Sequence, residues 1–406
     1  MNAPYRPAAD WELSGFLREC AGKGRVVELI GSGTKRQVGH RVANGTLVST
    51  AGMKGITLYE PNELVMSARA GTPLAQVESE LAAKRQMLAF EPLDLGPVVG
   101  ADARQGTIGA VIATNLSGAR RISHGAARDH LLGVLAATST GDVIKSGGRV
   151  MKNVTGLDVA RGLSGSWGTL AALTEVTFKV LPAPETSATL VLTGLPDEIA
   201  VEAMCRALGT PYEVSGTTHL TPTMVGRLWH ASLRSAGRSI TALRVENFAK
   251  SVSYRIDKLK TELKQYGQID ILDHDSSIAF WDELRQLSVL QGINAPLWRI
   301  STAPKSGPKV VAGIQHYMAV NCMYDWSGGL IWAEVPPTAD AGATDIRRVI
   351  ATHGGHATLI RAPEEVRAGV DCFQPLEPGV AKLTRKLKET FDPSGILNPG
   401  RMYLTH

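Results

Sequence analysis

The sequence predicts an α+β chain of more than one domain, on three observations. Glycine is uneven: 24 of the 42 glycines fall in residues 1–182, less than half of the 406-residue chain. The run Leu181-Pro182-Ala183-Pro184 interrupts strand and helix alike and marks a domain exit. Before it, short apolar strands alternate with glycine-rich loops; after it, strands alternate with long amphipathic helices.

The elements follow in order. Val26 to Ile30 is a short β-like run that ends directly in Gly31-Ser32-Gly33. Leu64 to Ala70 alternates and stops at Gly71. A helix is predicted through Arg85, with Thr72 as N-cap, Pro73 at the first helical position and Leu74, Val77 and Leu81 on one face. Leu131 to Thr138 and Val143 to Lys145 flank the hairpin loop Ser139-Thr140-Gly141-Asp142, and Thr174 to Leu181 is a further strand. Beyond the boundary, strands are predicted at Ala188 to Leu192, Leu243 to Glu246, Trp298 to Ser301 and Leu330 to Val335. Helices are predicted over Asp197 to Leu208, Ser251 to Tyr266 and Ile278 to Leu287. A basic helix, Gly379 to Thr390, precedes the closing run from Phe391 to Arg401.

Composition narrows the function classes. A hydrophobic fraction of 44% and a charged fraction of 20% are those of an ordinary globular chain. No apolar run reaches the ~18 residues of a membrane span, and Met1 to Asp10 lacks a signal-type apolar core. A cytoplasmic location is expected, with any membrane association supplied through partner subunits. The net charge of +5 is mild. Its one cluster, Lys382, Arg385, Lys386 and Lys388, reads as a solvated helix face. Aromatic residues, at 5%, are too sparse for nucleic-acid stacking platforms. Cys20, Cys205, Cys322 and Cys372 form no C-x-x-C pair, so the chain has no local iron–sulfur motif. Redox chemistry would then pass its electrons to a partner or to oxygen.

Three glycine-rich stretches carry the chemistry. Thr107 to Gly118 reads as neither an amphipathic helix nor an alternating strand. Gly106 and Gly109 permit close backbone approach, and Thr107, Thr114, Asn115 and Ser117 offer hydrogen bonds to a polar ligand. The alternative is a buried turn whose polar side chains are satisfied locally. Gly31-Ser32-Gly33-Thr34-Lys35 follows a strand directly, a setting that aims N–H groups at phosphate oxygens. Arg36 stands where the dinucleotide fingerprint needs its third glycine, and P-loop spacing fails too. The third stretch is Gly165-Ser166-Trp167-Gly168-Thr169, preceded by the run from Gly147 to Asp158. Within that run, Lys152 is a weak candidate for stabilising negative charge on a reduced cofactor ring, with a salt bridge to Asp158 as the alternative. Together the loops suggest a large phosphate-bearing cofactor gripped along its length.

On these motifs, residues 24–182 resemble the FAD-binding domain of the vanillyl-alcohol oxidase and p-cresol methylhydroxylase type. The matching elements are the first turn, Thr107 to Gly118, Gly147 to Asp158 and Gly165 to Leu170. The whole chain resembles the family of the second FAD-binding subunit of bacterial glycolate oxidase. Phe391-Asp392-Pro393 to Asn398-Pro399-Gly400-Arg401 is similar to the C-terminal return of this superfamily, and residues 185–370 match only loosely. The resemblance implies an FAD-binding domain over 1–182, an α+β cap, substrate or interface domain over 185–370, and a segment 371–406 returning to the FAD domain. It implies that Gly31, Ser32, Gly33, Thr34 and Lys35 hold the pyrophosphate. Pro97, Gly100, Thr107, Gly109, Thr114, Asn115, Ser117 and Gly118 would line the pyrophosphate, ribityl and isoalloxazine region. Gly165, Ser166 and Gly168, with the backbone near Val176, would sit near the adenine half. The first turn has no histidine, so FAD is expected to be non-covalent.

The departures matter as well. Relatives that oxidise D-2-hydroxy acids carry an H-x-G-D-G-N-x-H motif, which this chain lacks. His353-Gly354-Gly355-His356 has no adjacent carboxylate and reads as a turn, so no metal site is expected. Trp326-Ser327-Gly328-Gly329 and Trp298-Arg299 are the candidates for a wall facing the flavin. Arg299 could hold a carboxylate bidentately or serve in a structural ion pair. No acid–base residue is assigned. The resemblance implies an FAD-dependent subunit taking part in oxidation of glycolate, a small 2-hydroxy acid, to glyoxylate. Its implied partners are a sister FAD-binding subunit and an iron–sulfur subunit. Two alternatives stay open: a stand-alone FAD oxidase or dehydrogenase of another alcohol, and a flavin-free scaffold.

Overall fold

The computed structural model describes residues 3–149 and 157–404. They form two compact units. The first comprises Met1–Ser117, Gly125–Ala183 and Asp371–His406; the second comprises Gly118–His124 and Pro184–Val370. The chain leaves the first unit at Pro184, and Gly118–His124, which the sequence places with the glycine-rich half, packs within the second unit.

In the first unit, strand Val27–Ile30 pairs in parallel with Thr46–Ser49. Beside this pair is an antiparallel sheet in the order Ile56–Glu60, Val65–Arg69, Ala172–Lys179, Leu131–Ala137, Val143–Gly147. The alternation read in Leu64 to Ala70 does not translate into one wet face. Val65 to Ala68 are all buried, and Ser67 meets the Thr177 hydroxyl of the neighbouring strand at 2.8 Å. A strand in mid-sheet covered on both faces buries its polar positions if they find partners. The hairpin at Ser139–Asp142 forms, closed by Thr138 N–H to the Asp142 carbonyl at 3.0 Å, with Gly141 at φ 81°.

The helix expected from Thr72 begins at Leu74 and buries Leu74, Val77 and Leu81 as the periodicity requires. Each such side chain stabilises the unit by about 1.5–3 kcal/mol. Thr72 does not cap it. Its hydroxyl bonds the Arg69 carbonyl at 2.7 Å and accepts from Gly55 N–H at 3.0 Å, tying the turn to the sheet instead. Leu74 N–H donates to the Gly106 carbonyl at 2.8 Å.

The second unit is an antiparallel sheet with helices. Its strand order is Ile269–Leu272, Thr186–Thr193, Ile240–Asn247, Val214–Leu220, Asn321–Asp325, Leu330–Glu334, Leu297–Ser301, His356–Arg361. Helices Asp197–Leu208 and Ala249–Leu263 set apolar faces against it, with Ala200, Ala203, Val252, Ile256 and Leu259 in one core with Leu190 and Leu243. The C-terminal helix Pro378–Phe391 belongs to the first unit. Lys382, Arg385 and Lys386 are exposed on it, but Lys388, read from sequence as part of the same solvated face, is buried and bonded to Asp392 at 2.5 Å.

Candidate FAD site and a cationic site

The first site is built by a strand that runs out of sheet. After Ile30 the chain turns through Gly31–Lys35, with Gly33 at φ 93°, a conformation that favours glycine. The carbonyls at the turn's start are satisfied: Gly31's accepts from the Ser49 hydroxyl at 2.6 Å and Ile30's from Thr50 at 3.4 Å. The donors are not. Among the described residues, no acceptor serves the backbone N–H groups of Ser32, Gly33, Thr34 or Lys35. Consecutive N–H groups of this kind form a concavity suited to an anion.

One cavity gathers parts of all three glycine-rich stretches. It is lined by Gly31, Gly33, Thr34 and Lys35 from the first, Gly109 and Thr114 from the second, and Gly168 from the third. Lys35 is half-buried there. Burial holds its amine down at about 8, with Asp94 opposing the shift. Arg36 and Arg401 also line the cavity, and both engage the buried Glu28, through contacts of 2.7 Å and 3.2 Å.

The second stretch is a helix, contrary to the reading of Thr107 to Gly118 as neither helix nor strand. Ile108–Thr114 is helical with Thr107 as N-cap. Seven residues with two β-branched isoleucines and a valine give little amphipathic signal, and tertiary packing decides. Its polar side chains each make a bond within the protein. Thr107 accepts from Ala110 N–H at 3.4 Å, and Thr114 donates to the Ala110 carbonyl at 2.8 Å. Asn115 accepts from Arg128 N–H at 3.0 Å, and Ser117 from Ala127 N–H at 3.0 Å. Gly109 serves packing as well: a Cβ there would lie 2.7 Å from the Ala70 carbonyl oxygen. At Gly31, a Cβ would collide with the Thr107 hydroxyl.

The third stretch closes on the second. Gly165 N–H donates to the Ile112 carbonyl at 3.2 Å and Trp167 N–H to Ala113's at 2.9 Å, capping orphan carbonyls at the helix end. Gly165 and Ser166 line a separate cavity with Leu376, Met402 and Tyr403. Pro97 opens a short 3-10 turn that Gly100 ends at φ 79°. Neither lines the cavity that holds Lys35, nor do Ser32, Thr107, Asn115 and Ser117. Val176 sits in mid-sheet, paired with Ala68 and Val134, its side chain in the core. Gly118 belongs to the second unit. Lys152 lies outside the described residues. Sequence reasoning missed Leu29, Trp167, Leu173 and Arg401 as cavity walls. Trp167 stood inside a quoted motif, but the others carry no local signal.

The second unit holds a different arrangement. Arg121 lies over the Trp326 ring at 4.2 Å and Arg299 at 5.1 Å from the same centroid. The indole N–H donates to the Gly118 carbonyl at 2.9 Å. Arg120 fixes the same short segment by a two-point contact with Glu246 at 2.7 and 2.9 Å. Burial alone would raise Glu246, but Arg244 and Arg120 hold it at about 2. Trp326 and Ser327 both have positive φ, 51° and 57°, a strained turn of the sort found at functional sites. Among the described residues, buried Arg299 Nε has no acceptor. Burial and then Arg121 lower its guanidinium to about 10, with Asp325 opposing. His356 is kept below its usual value by burial first, then by Arg299, Arg121 and Arg347. Trp298, expected to form a wall, is fully buried and bonded to the Ala341 carbonyl at 2.8 Å. Among the described residues, no group of His, Cys, Asp and Glu has the arrangement of a metal site, and no helix is long and apolar enough to cross a membrane.

Comparison with known proteins gives the family and the fold. Residues 3–147 match the family model described as FAD binding domain. Glycolate oxidase subunit GlcE of Escherichia coli K12 is 33% identical over 379 residues, covering 92% of this chain and 91% of the relative. Glycolate oxidase subunit GlcD of Bacillus subtilis 168 is 22% identical over 435 residues, 99% of this chain and 89% of that one. Among solved structures, p-cresol methylhydroxylase with substrate bound shares the fold at a TM-score of 0.76 and 15% identity, across 99% of this chain and 89% of that one. The fold is therefore of the p-cresol methylhydroxylase type, its cofactor is FAD, and the chain belongs to the family of FAD-dependent oxidoreductases that includes glycolate oxidase subunit GlcE.

Proposed function

We propose that this chain is the FAD-binding subunit of a complex that oxidises glycolate, or a closely related small 2-hydroxy acid, to the 2-oxo acid. The observation that carries the cofactor site is the row of N–H donors from Ser32 to Lys35, of which Gly33, Thr34 and Lys35 line the cavity. These donors and the Lys35 ammonium would hold the pyrophosphate of non-covalent FAD, and Ala110, Ala113 and Trp167 would supply apolar walls. When bound, FAD supplies a two-electron acceptor for oxidation of an alcohol carbon.

The substrate class rests on the second unit. Two guanidiniums over one indole repel each other in a partly desolvated place, and the Arg299 Nε donor lacks an acceptor among the described residues. A carboxylate answers both conditions by neutralising charge and accepting a bidentate pair of hydrogen bonds. Relatives named as glycolate oxidase subunits support work within a complex. The scattered cysteines support electron exit through a sister FAD-binding subunit and a separate iron–sulfur subunit.

The test is purification of the chain alone and with its co-purifying partners, followed by flavin absorbance and anaerobic addition of glycolate. Bound flavin, with rapid bleaching only in the presence of partners, is expected. Absence of flavin would favour a scaffold, and fast bleaching by another alcohol without partners would favour a stand-alone dehydrogenase.

A further inference from the structure

We infer that Asn398 is a positioning residue that couples seating of the C-terminal segment to FAD binding; the inference rests on the reading of the first unit's cavity as the FAD site. The closing run turns at Asn398 with φ 42°, in the left-handed region that asparagine tolerates better than most residues. Its amide meets two walls of the cavity. Oδ1 accepts from Leu29 N–H at 2.8 Å, while Nδ2 donates to the Trp167 carbonyl at 2.8 Å and to the Leu29 carbonyl at 3.3 Å. Leu29 stands two residues before the Gly31–Lys35 turn, and Trp167 lines the cavity beside Gly168. A Cβ on Gly168 would lie 3.0 Å from Asn398 Nδ2, so the fit there is close.

The same run is pinned on both sides of this residue. Val27 N–H donates to the Ile396 carbonyl at 2.8 Å, and Asn398 N–H to the Val27 carbonyl at 3.0 Å. Ile396 and Leu397 are buried in one core with Val27 and Val48. Lys388 donates to the Thr169 carbonyl at 2.7 Å and the Leu397 carbonyl at 2.8 Å. Asp392 accepts from the N–H groups of Ile396 and Leu397 at 3.1 and 2.8 Å. Arg401 lines the cavity and donates to the Val38 carbonyl at 3.0 Å. One short run thus bonds the strand that delivers the first turn and the loop that carries Trp167. A ligand touching both walls binds more tightly while they are held in register, and by linkage it holds the run down in return.

The test titrates FAD into the full chain as wild type, Asn398→Ala and Asn398→Asp, following flavin fluorescence, with thermal melts without FAD and amide exchange of residues 396–401. Asn398→Ala raises the Kd for FAD by about 5–150-fold, the usual range of a coupling between two sites. Asn398→Asp keeps the acceptor for Leu29 N–H and loses the donor to Trp167, and it also raises Kd. In the wild type, FAD slows exchange of residues 396–401, and the slowing shrinks in Asn398→Asp. Variants that melt lower yet bind FAD as tightly as the wild type overturn the coupling and leave a purely structural role. A wild-type chain that takes up no FAD overturns the cavity reading itself, before any variant is compared.

Discussion

The two candidate sites are built by opposite means. In the first unit the donors are backbone N–H groups within four consecutive residues, Ser32 to Lys35, while the side chains of Ser32, Asn115 and Ser117 make bonds within the fold. In the second unit the chemistry lies in side chains, Arg121, Arg299, Trp326 and His356, from four separate segments. A backbone site needs particular φ values and close approaches, which glycine supplies. A side-chain site needs only that register and packing bring long residues together. The first kind should therefore fail through changes in conformation, and the second through changes in chemistry.

The largest expected effect breaks the side-chain site. Arg299→Met should lower kcat/KM for glycolate in the complex by about 30-fold or more, since truncating one partner of a desolvated charge pair costs ~2–5 kcal/mol. FAD content should not change. Arg299→Lys should fall between, because an ammonium cannot supply the bidentate fork. Anaerobic flavin reduction at varied glycolate measures both, and unchanged kinetics in Arg299→Met would remove the carboxylate role.

Next comes conformation at the backbone site. A Cβ on Gly33 meets only Ile30 Cδ1 at 3.6 Å, so space exists, but φ 93° does not suit an L side chain. Gly33→Ala should cost ~1–3 kcal/mol of strain and weaken FAD binding by about 10-fold or more. Gly100→Ala, strained at φ 79° with nothing within 4 Å and outside the cavity lining, should lower the melting temperature and leave FAD affinity intact. Equal loss of affinity in both would erase the distinction.

A smaller effect follows from pH. Lys35 sits at about 8 because burial disfavours its charge. An anion in the cavity favours the charged form and raises that value, so binding takes up a proton once the free chain has lost it. FAD affinity should be flat below about pH 8 and decline above it, by at most ~10-fold per unit. Lys35→Met should show weaker binding with no such slope, measured by titration from neutral to alkaline pH.

The smallest effect on the cofactor is expected at Ser117. Its hydroxyl accepts from the buried Ala127 N–H. Ser117→Ala should cost about 1–3 kcal/mol of stability for the unsatisfied donor, by denaturant melt, with FAD affinity unchanged.

Much of the fold was legible because periodicity and punctuation agree with tertiary packing. Helix Asp197–Leu208 has the residues that its apolar spacing requires, and the Ser139–Asp142 hairpin follows from its turn chemistry. The first turn was legible for the same reason, since a strand running into Gly-Ser-Gly leaves few other conformations. Ile108–Thr114 was not, because a seven-residue helix buried on most sides has no polar face to reveal its period. For Thr107, Asn115 and Ser117, sequence shows a hydroxyl or amide but not which N–H it meets. Arg401 became a cavity wall only through the return of the C-terminal run, where it meets Glu28 across 373 positions. Arg121 was invisible because nothing local places it over Trp326.

The most direct test of the central claim is amide hydrogen exchange at Ser32, Gly33, Thr34 and Lys35 in the purified chain, with and without saturating FAD. Without FAD these four amides should exchange rapidly, having no acceptor among the described residues. With FAD they should rank among the most strongly protected positions of the first unit. Full FAD occupancy with exchange at these four amides unchanged would contradict the account.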